Sequence, residues 1–197
     1  FNDQSIWQIS GWIPSILGPH QALSENGSNK FSIFKSQLMP CWGWATWSDR
    51  WERREENLEV LLQKFTFRDK CKFNLDMSYP FYSHLIGNLI GANKTWAIFW
   101  YASAFVNNGK SILPTHPLVI NVGSDGSGNH TPIKIKQDML VEDNNLGLLK
   151  IIPLNKDESL SLMKLVKSHY KESLSLIQKI SMYIKALLPL SFWLKLK

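Results

Sequence analysis

The sequence predicts a mixed α/β domain, and three observations carry that prediction. Short apolar runs bounded by Gly, Pro or Asn read as strands near both ends of the first 136 residues. Between them lie stretches with helical spacing and helix caps. The chain has no internal repeat, and its 197 residues suffice for one core of ordinary size. Strands and helices mixed in this way fit an α/β architecture better than a helical bundle or a β-sandwich. Hydrophobic residues at 44% against charged residues at 19% exclude wholesale disorder.

In chain order, Ile6-Trp7-Gln8-Ile9 alternates and stops at Ser10-Gly11, as a strand ending in a tight loop would. Residues 14–30 are polar and carry Pro, Gly and Asn, so a loop is expected there, followed by a short strand over 31–34. Pro40 opens an aromatic loop, and a charged helix is expected over 48–64 with Ser48 as its N-cap. Residues 73–80 read as irregular and 81–89 as a short helix. Trp96 to Val106 is the best candidate for a buried helix, with Asn107-Asn108-Gly109 as its stop. Short strands are expected over 111–113, 118–122 and 133–136, with a glycine-rich loop over 123–131. The predicted organisation is a domain over 1–140 and an extension over 141–197 that carries a basic amphipathic helix.

The formal charge of +6 is concentrated in that extension. From Lys156 to Lys197 eight lysines face three carboxylates, which leaves the rest of the chain near neutral. A nucleic-acid reader carries its basic surface on the folded body, so no nucleic-acid partner is expected. Leu162, Leu165, Val166, Leu176, Ile177, Ile180, Ile184, Leu187 and Leu188 recur at helical spacing with Lys on other faces. Two readings stay open: a helix lying on an anionic membrane, or one packing its apolar stripe on the domain. Phe192-Trp193-Leu194 beside Lys195 and Lys197 suits the first. No stretch is long and apolar enough to span a bilayer. Cys41 and Cys71 form no framework and no C-x-x-C pair, so two reduced thiols are expected. The chain opens at Phe1 without an initiating Met, from which we expect a fragment or a processed chain.

Three features could carry chemistry. Four of the nine tryptophans, Trp42, Trp44, Trp47 and Trp51, fall within ten residues. Indole faces pack on the C–H faces of sugars, and the indole N–H can bond a hydroxyl. Trp42-Gly43-Trp44 is read as a ligand wall, because Gly43 lets backbone approach a ligand closely. Trp47 and Trp51, four apart at a helix start, are read as core anchors. Secondly, Gly123, Ser127 and His130 lie in a loop with three glycines that can present N–H groups to a phosphate or close over a ligand. It matches neither the Walker nor the dinucleotide pattern, and a plain solvated loop is an equal reading. Thirdly, Asp76 and Asp125 are the two carboxylates placed to act as a general base, although lone loop aspartates also form turns. No metal ligands stand at metal spacing.

Taken together, these blocks resemble the back half of bacterial sugar transferases of the glycosyltransferase family 2 type. The blocks are Trp7-Gln8-Ile9-Ser10-Gly11-Trp12, Cys41-Trp42-Gly43-Trp44-Ala45-Thr46-Trp47-Ser48-Asp49-Arg50-Trp51, Phe73-Asn74-Leu75-Asp76-Met77-Ser78-Tyr79-Pro80, Thr95-Trp96-Ala97-Ile98-Phe99-Trp100, and the run from Leu118 to His130. They occur in the family's order over roughly residues 3–131. A more distant likeness to the N-acetylglucosaminyltransferase I type lies in the order of strand, glycine-tryptophan loop, tryptophan helix and late glycine-rich loop.

The resemblance implies the acceptor-side part of a GT-A fold. Such an enzyme moves a sugar, with inversion, from a nucleotide-sugar donor to a glycan or lipid-linked acceptor in bacterial surface-polysaccharide or lipopolysaccharide assembly. It implies Mg²⁺ or Mn²⁺ on the diphosphate, held by an Asp-x-Asp motif that this chain lacks; that half is expected upstream of Phe1. It places Ser10 and Gly11 after a central strand, Trp42-Gly43-Trp44 along the donor-sugar and acceptor pocket, and residues 123–130 over the diphosphate. The expected location is cytoplasmic, peripheral on the inner face of the cell membrane. Where the family commonly has an acidic residue before the tryptophan helix, this chain has Asn93-Lys94-Thr95. The base is then Asp76 or Asp125, or the copy is impaired. The alternatives are a non-catalytic carbohydrate-binding module and an inactive transferase-like partner.

Overall fold

A computed structural model describes residues 3–14, 16, 30–119 and 150–197. In chain order the elements are β1 (Ile6–Ser10), β2 (Lys30–Ser36), β3 (Trp44–Thr46), α1 (Ser48–Trp51), α2 (Leu58–Gln63), α3 (Phe67–Phe73), α4 (Phe81–Leu89), α5 (Ala97–Val106), β4 (Lys110–Pro114), β5 (Lys150–Pro153), α6 (Lys156–Glu172), α7 (Leu176–Leu187) and α8 (Leu190–Leu194). Among the described residues the strands form one mixed sheet in the order β3-β1-β4-β2-β5. Strand β1 runs parallel to β4 and antiparallel to β3, while β2 runs antiparallel to β4 and parallel to β5. The chain is therefore α/β, as its pattern of short strands and helices predicts.

Strand β1 is the centre of the construction. Ile6, Gln8 and Ser10 are buried and Ile9 is exposed, a period of two that puts the polar Gln8 on the inner face, while Trp7 is buried as well. The Gln8 side chain compensates for its own burial. Nε2 donates to the Pro40 carbonyl at 3.0 Å, and Oε1 accepts from Trp100 Nε1 at 2.7 Å. The indole can only donate, so it fixes which way the amide points. Three distant parts of the chain are tied at one amide. Trp7 packs against Trp100 at 5.4 Å between ring centroids, and Gly109 passes so close that a Cβ there would lie 2.6 Å from the Trp7 ring.

The helix expected over 48–64 is two helices. The charged run Glu52-Arg53-Arg54-Glu55-Glu56 has no apolar stripe to bury, and its backbone turns aside instead, with Glu55 N–H donating to Ser103 Oγ at 2.9 Å. Asn57 then caps α2 by accepting from the Glu59 and Val60 amides. Ser48 is the first residue of α1, and its N-cap is Trp47. Helix α3, unforeseen in the sequence, begins with a capping box between Thr66 and Asp69. The irregular stretch after it is a left-handed turn, with Leu75, Asp76 and Met77 at φ of 51°, 52° and 63°. It is closed by Ser78 N–H to the Asn74 carbonyl at 2.8 Å, and the Asn74 side chain takes the Tyr82 amide at 2.7 Å.

The described part of the C-terminal segment, residues 150–197, packs on the sheet and on the helices that precede it. Strand β5 adds to β2 at the sheet edge. Leu162 and Val166 of α6 bury against Phe34 of β2, Leu113 of β4 and Leu75. Helix α7 packs on α3 and α4, and Trp193 of α8 enters the main core with Trp7, Leu61, Phe73, Tyr82, Leu85 and Trp100. Lys70 of α3 reaches the C-terminal end of α7, donating to the Ala186 and Leu188 carbonyls at 3.1 and 3.2 Å. Its burial pulls the ammonium's pKa below the usual lysine range. Among the described residues no helix is long and apolar enough to cross a membrane.

Replacing Gln8 by Leu should leave the Pro40 carbonyl and the Trp100 N–H buried without partners, at a cost of about 3 kcal/mol. Urea unfolding followed by tryptophan fluorescence measures it; a loss under about 0.5 kcal/mol would remove the amide from its central role.

Candidate functional site

Three chain segments meet where β1 ends. Gly11 N–H donates to the Gly43 carbonyl at 2.7 Å, and Leu118 N–H donates to the Gly11 carbonyl, also at 2.7 Å. Ser10 Oγ lies 3.4 Å from the Trp42 carbonyl and accepts the Trp12 amide at 3.2 Å. The rings of Trp12 and Trp42 meet edge to face at 4.5 Å. Gly43 adopts φ +53°, and a Cβ there would stand 2.6 Å from Val119 Cγ1. Its missing side chain therefore answers two demands, a left-handed backbone and the close passage of Val119. The structure thus joins Ser10, Gly11, Trp42 and Gly43 and sets beside them the segment that leads toward the glycine-rich loop. The strand expected over 133–136, all but the first two residues of that expected over 118–122, and the candidates Gly123, Asp125, Ser127 and His130 lie outside the described residues.

Beside this junction the tryptophans form a graded ladder. Trp100 is buried on Gln8, Trp44 is half-buried over it at 5.6 Å, and Trp51 and Trp96 stand at the exposed end, each 6.0 Å from Trp44. Trp51 and Trp96 meet edge to face at 6.4 Å. Trp51 is 38% exposed and Trp47 half-buried, so neither is the core anchor that their four-residue spacing suggests. Helix α1 is one turn long and sits at the rim, so its spacing buries no stripe.

The ladder borders an open cavity of about 540 Å³ lined by Arg54, Glu56, Asn88, Asn93, Thr95 and Trp96, among others. Its wall is held by Asn88, whose Nδ2 donates to Thr95 Oγ1 at 2.9 Å and whose Oδ1 accepts the Thr95 amide at 3.0 Å. The Arg54 guanidinium lies 4.5 Å over the Trp51 ring and pairs with the Glu56 carboxylate. Lys94, on the same wall, adds a second positive charge. Aromatic faces beside amide, hydroxyl and charged groups are the chemistry that binds a polyhydroxylated ring. Trp96, which the sequence places in a buried helix, is 50% exposed, and neither it nor Glu56 is among the residues the sequence predicts for the site. The only local hint was the polar run Asn93-Lys94-Thr95 ahead of an apolar helix, which puts Trp96 at the exposed helix start.

Asp76 stands elsewhere. It is exposed on the left-handed turn, and its Oδ2 lies 2.5 Å from Lys167 Nζ on α6. Cys41, next to Trp42, has its thiol's pKa pushed up by burial. Cys41 and Cys71 are separate thiols. Among the described residues no three His, Cys, Asp or Glu side chains converge to hold a metal ion. The divalent cation implied by the resemblance therefore finds no fitting donor set among them. Comparison with protein-family models, with curated proteins and with solved structures found no match.

Gly43→Ala should force the strained backbone and the Val119 contact together, destabilising the chain by about 1–3 kcal/mol. Pairing it with Val119→Ala should recover the steric part only. Thermal unfolding of both variants tests this, and an unchanged melting temperature in Gly43→Ala would show that the three-segment junction is loose.

Proposed function

We propose that this chain is the acceptor-side part of a GT-A glycosyltransferase. It would act at the cytoplasmic face of a bacterial cell membrane on a glycan or lipid-linked acceptor of surface-polysaccharide or lipopolysaccharide assembly, with a nucleotide-sugar as donor. One observation supports the reading above the others. The end of β1, the Trp42-Gly43 loop and Val119 converge beside a ladder of tryptophans that ends, exposed, at a polar cavity. An acceptor sugar on Trp96 would have Asn88, Asn93 and Glu56 within the same cavity for its hydroxyls.

Inverting transfer needs a carboxylate to take the acceptor hydroxyl's proton as that oxygen bonds to the anomeric carbon and the bond to the diphosphate breaks. The ion pair of Asp76 with Lys167 on α6 favours Asp125 of the two base candidates. A second reading, a saccharide-binding module without turnover, is favoured by the exposed indoles, which can grip sugar without any base.

Trp96→Ala should weaken saccharide binding about tenfold on either reading, measured by calorimetry with a panel of oligosaccharides; unaltered binding would remove the ladder from the site. Asp125→Asn, made in a protein that also carries the proposed donor-binding half, separates the two. For a transferase, release of nucleoside diphosphate should fall about 100-fold or more while acceptor binding stays near wild type. Saccharide binding that is indifferent to nucleotide-sugar, with no turnover in the wild type, would establish the binding module instead.

A further inference from the structure

Helix α7 faces the wrong way for a helix that only packs. An ordinary surface helix turns its apolar stripe to the core and its polar face to water. In α7 the side chains turned inward are Met182 and Ala186, which meet Met77 and Leu174. The outward face carries Leu176, Ile177, Ile180, Tyr183, Ile184 and Leu187, and the first two are 72% and 79% exposed. At 3.6 residues per turn these six positions fall within an arc of about 120°. Lys179 and Lys185 flank that arc on its two sides. Beyond Pro189 the same chemistry continues with Phe192, Leu194 and Leu196 exposed beside Lys195. Trp193, expected among these interfacial residues, is buried in the core instead and anchors α8 to the domain.

An exposed apolar face of this size is costly in water unless something covers it. The charges around it say what. Residues 173–197 contain four lysines and no aspartate or glutamate. One of the four, Lys197, pairs with Glu59 of α2 at 2.8 Å; Lys179, Lys185 and Lys195 border the apolar face. A second copy of the same helix would set lysines against lysines. A surface of negatively charged lipid headgroups instead attracts them, while their aliphatic stems let the apolar arc sink below. Tyr183, half exposed on the arc, has the amphipathic ring suited to that depth. The capping box of Ser175 and Gln178 and the grip of Lys70 on the last carbonyls hold the helix folded before any membrane is met.

We propose that the α7–α8 surface is a preformed docking face for an anionic membrane, on which the helix lies flat with its apolar arc inserted and Lys179 and Lys185 at the headgroups. The inference rests on this surface alone, so it stands or falls independently of the sugar-transfer reading.

The full chain should sediment with vesicles of equimolar phosphatidylglycerol and phosphatidylcholine and far less with phosphatidylcholine alone. Ile177→Asp with Ile184→Asp should lower that binding at least about tenfold, and Lys179→Glu with Lys185→Glu should abolish the preference for the anionic vesicles. All four side chains reach solvent, and far-UV circular dichroism checks that the variants fold. The lysine pair decides the matter if the aspartate pair does not fold. The proposal is overturned if the wild type ignores anionic vesicles, or if either pair binds them as the wild type does. A wild-type dimer in sedimentation equilibrium that Ile177→Asp dissociates, without vesicle binding, would assign the face to a second copy and overturn it too.

Discussion

The buried amide of Gln8 is the constraint on which the rest of the structure depends. A fully buried Gln is tolerable only when both ends of its amide are satisfied, and here they are satisfied by groups far apart in the chain. One partner is the Pro40 carbonyl, which sets the entry to the aromatic loop. The other is the Trp100 indole, which fixes the rotation of α5 and so the direction in which Trp96 emerges. The tryptophan ladder follows from that rotation. Trp44, on β3 opposite Ser10, can lie on Trp100 only because both helix and loop are referred to the same strand.

From this anchor the indoles pass from structural to exposed in steps of 5.4 to 6.0 Å between ring centroids. Trp7 and Trp100 are core, Trp44 is shared, and Trp51 and Trp96 are exposed, with Trp96 lining the cavity. The same residue type thus performs two physical tasks: large apolar area at one end, a flat surface beside polar groups at the other. The glycine at position 43 belongs to the same arrangement. Its backbone carbonyl receives the Gly11 amide while Val119 occupies the space where its side chain would be. Strand end, aromatic loop and late loop are thereby held at van der Waals and hydrogen-bond distance.

The C-terminal segment shows how one stretch of sequence can serve packing and surface together. Strand β5, the buried face of α6 and Trp193 commit it to the domain. Helix α7 commits only a narrow inner face through Met182 and Ala186, and its larger apolar arc points away. Of the two readings that helical spacing leaves open for this segment, α6 realises packing on the domain, while α7 keeps its larger apolar arc exposed.

By itself the sequence determined the α/β class, the positions of β1, β2, α4 and α5, and the stop at Asn107-Asn108-Gly109. These are local quantities: alternation, cap residues, glycine and proline act within a few positions. The capping box of α3 is as local, in Thr66 and Asp69; the break between α1 and α2, the exposure of Trp51 and the place of Trp96 beside Glu56 were decided by tertiary structure alone. Each depends on what a backbone or side chain meets across the fold. Ser103 takes the Glu55 amide, Gln8 turns α5, and Lys167 takes Asp76. Helical spacing reports that a face is apolar, but only the partner, or its absence, decides whether that face is core or surface, because burial is a relation between distant segments.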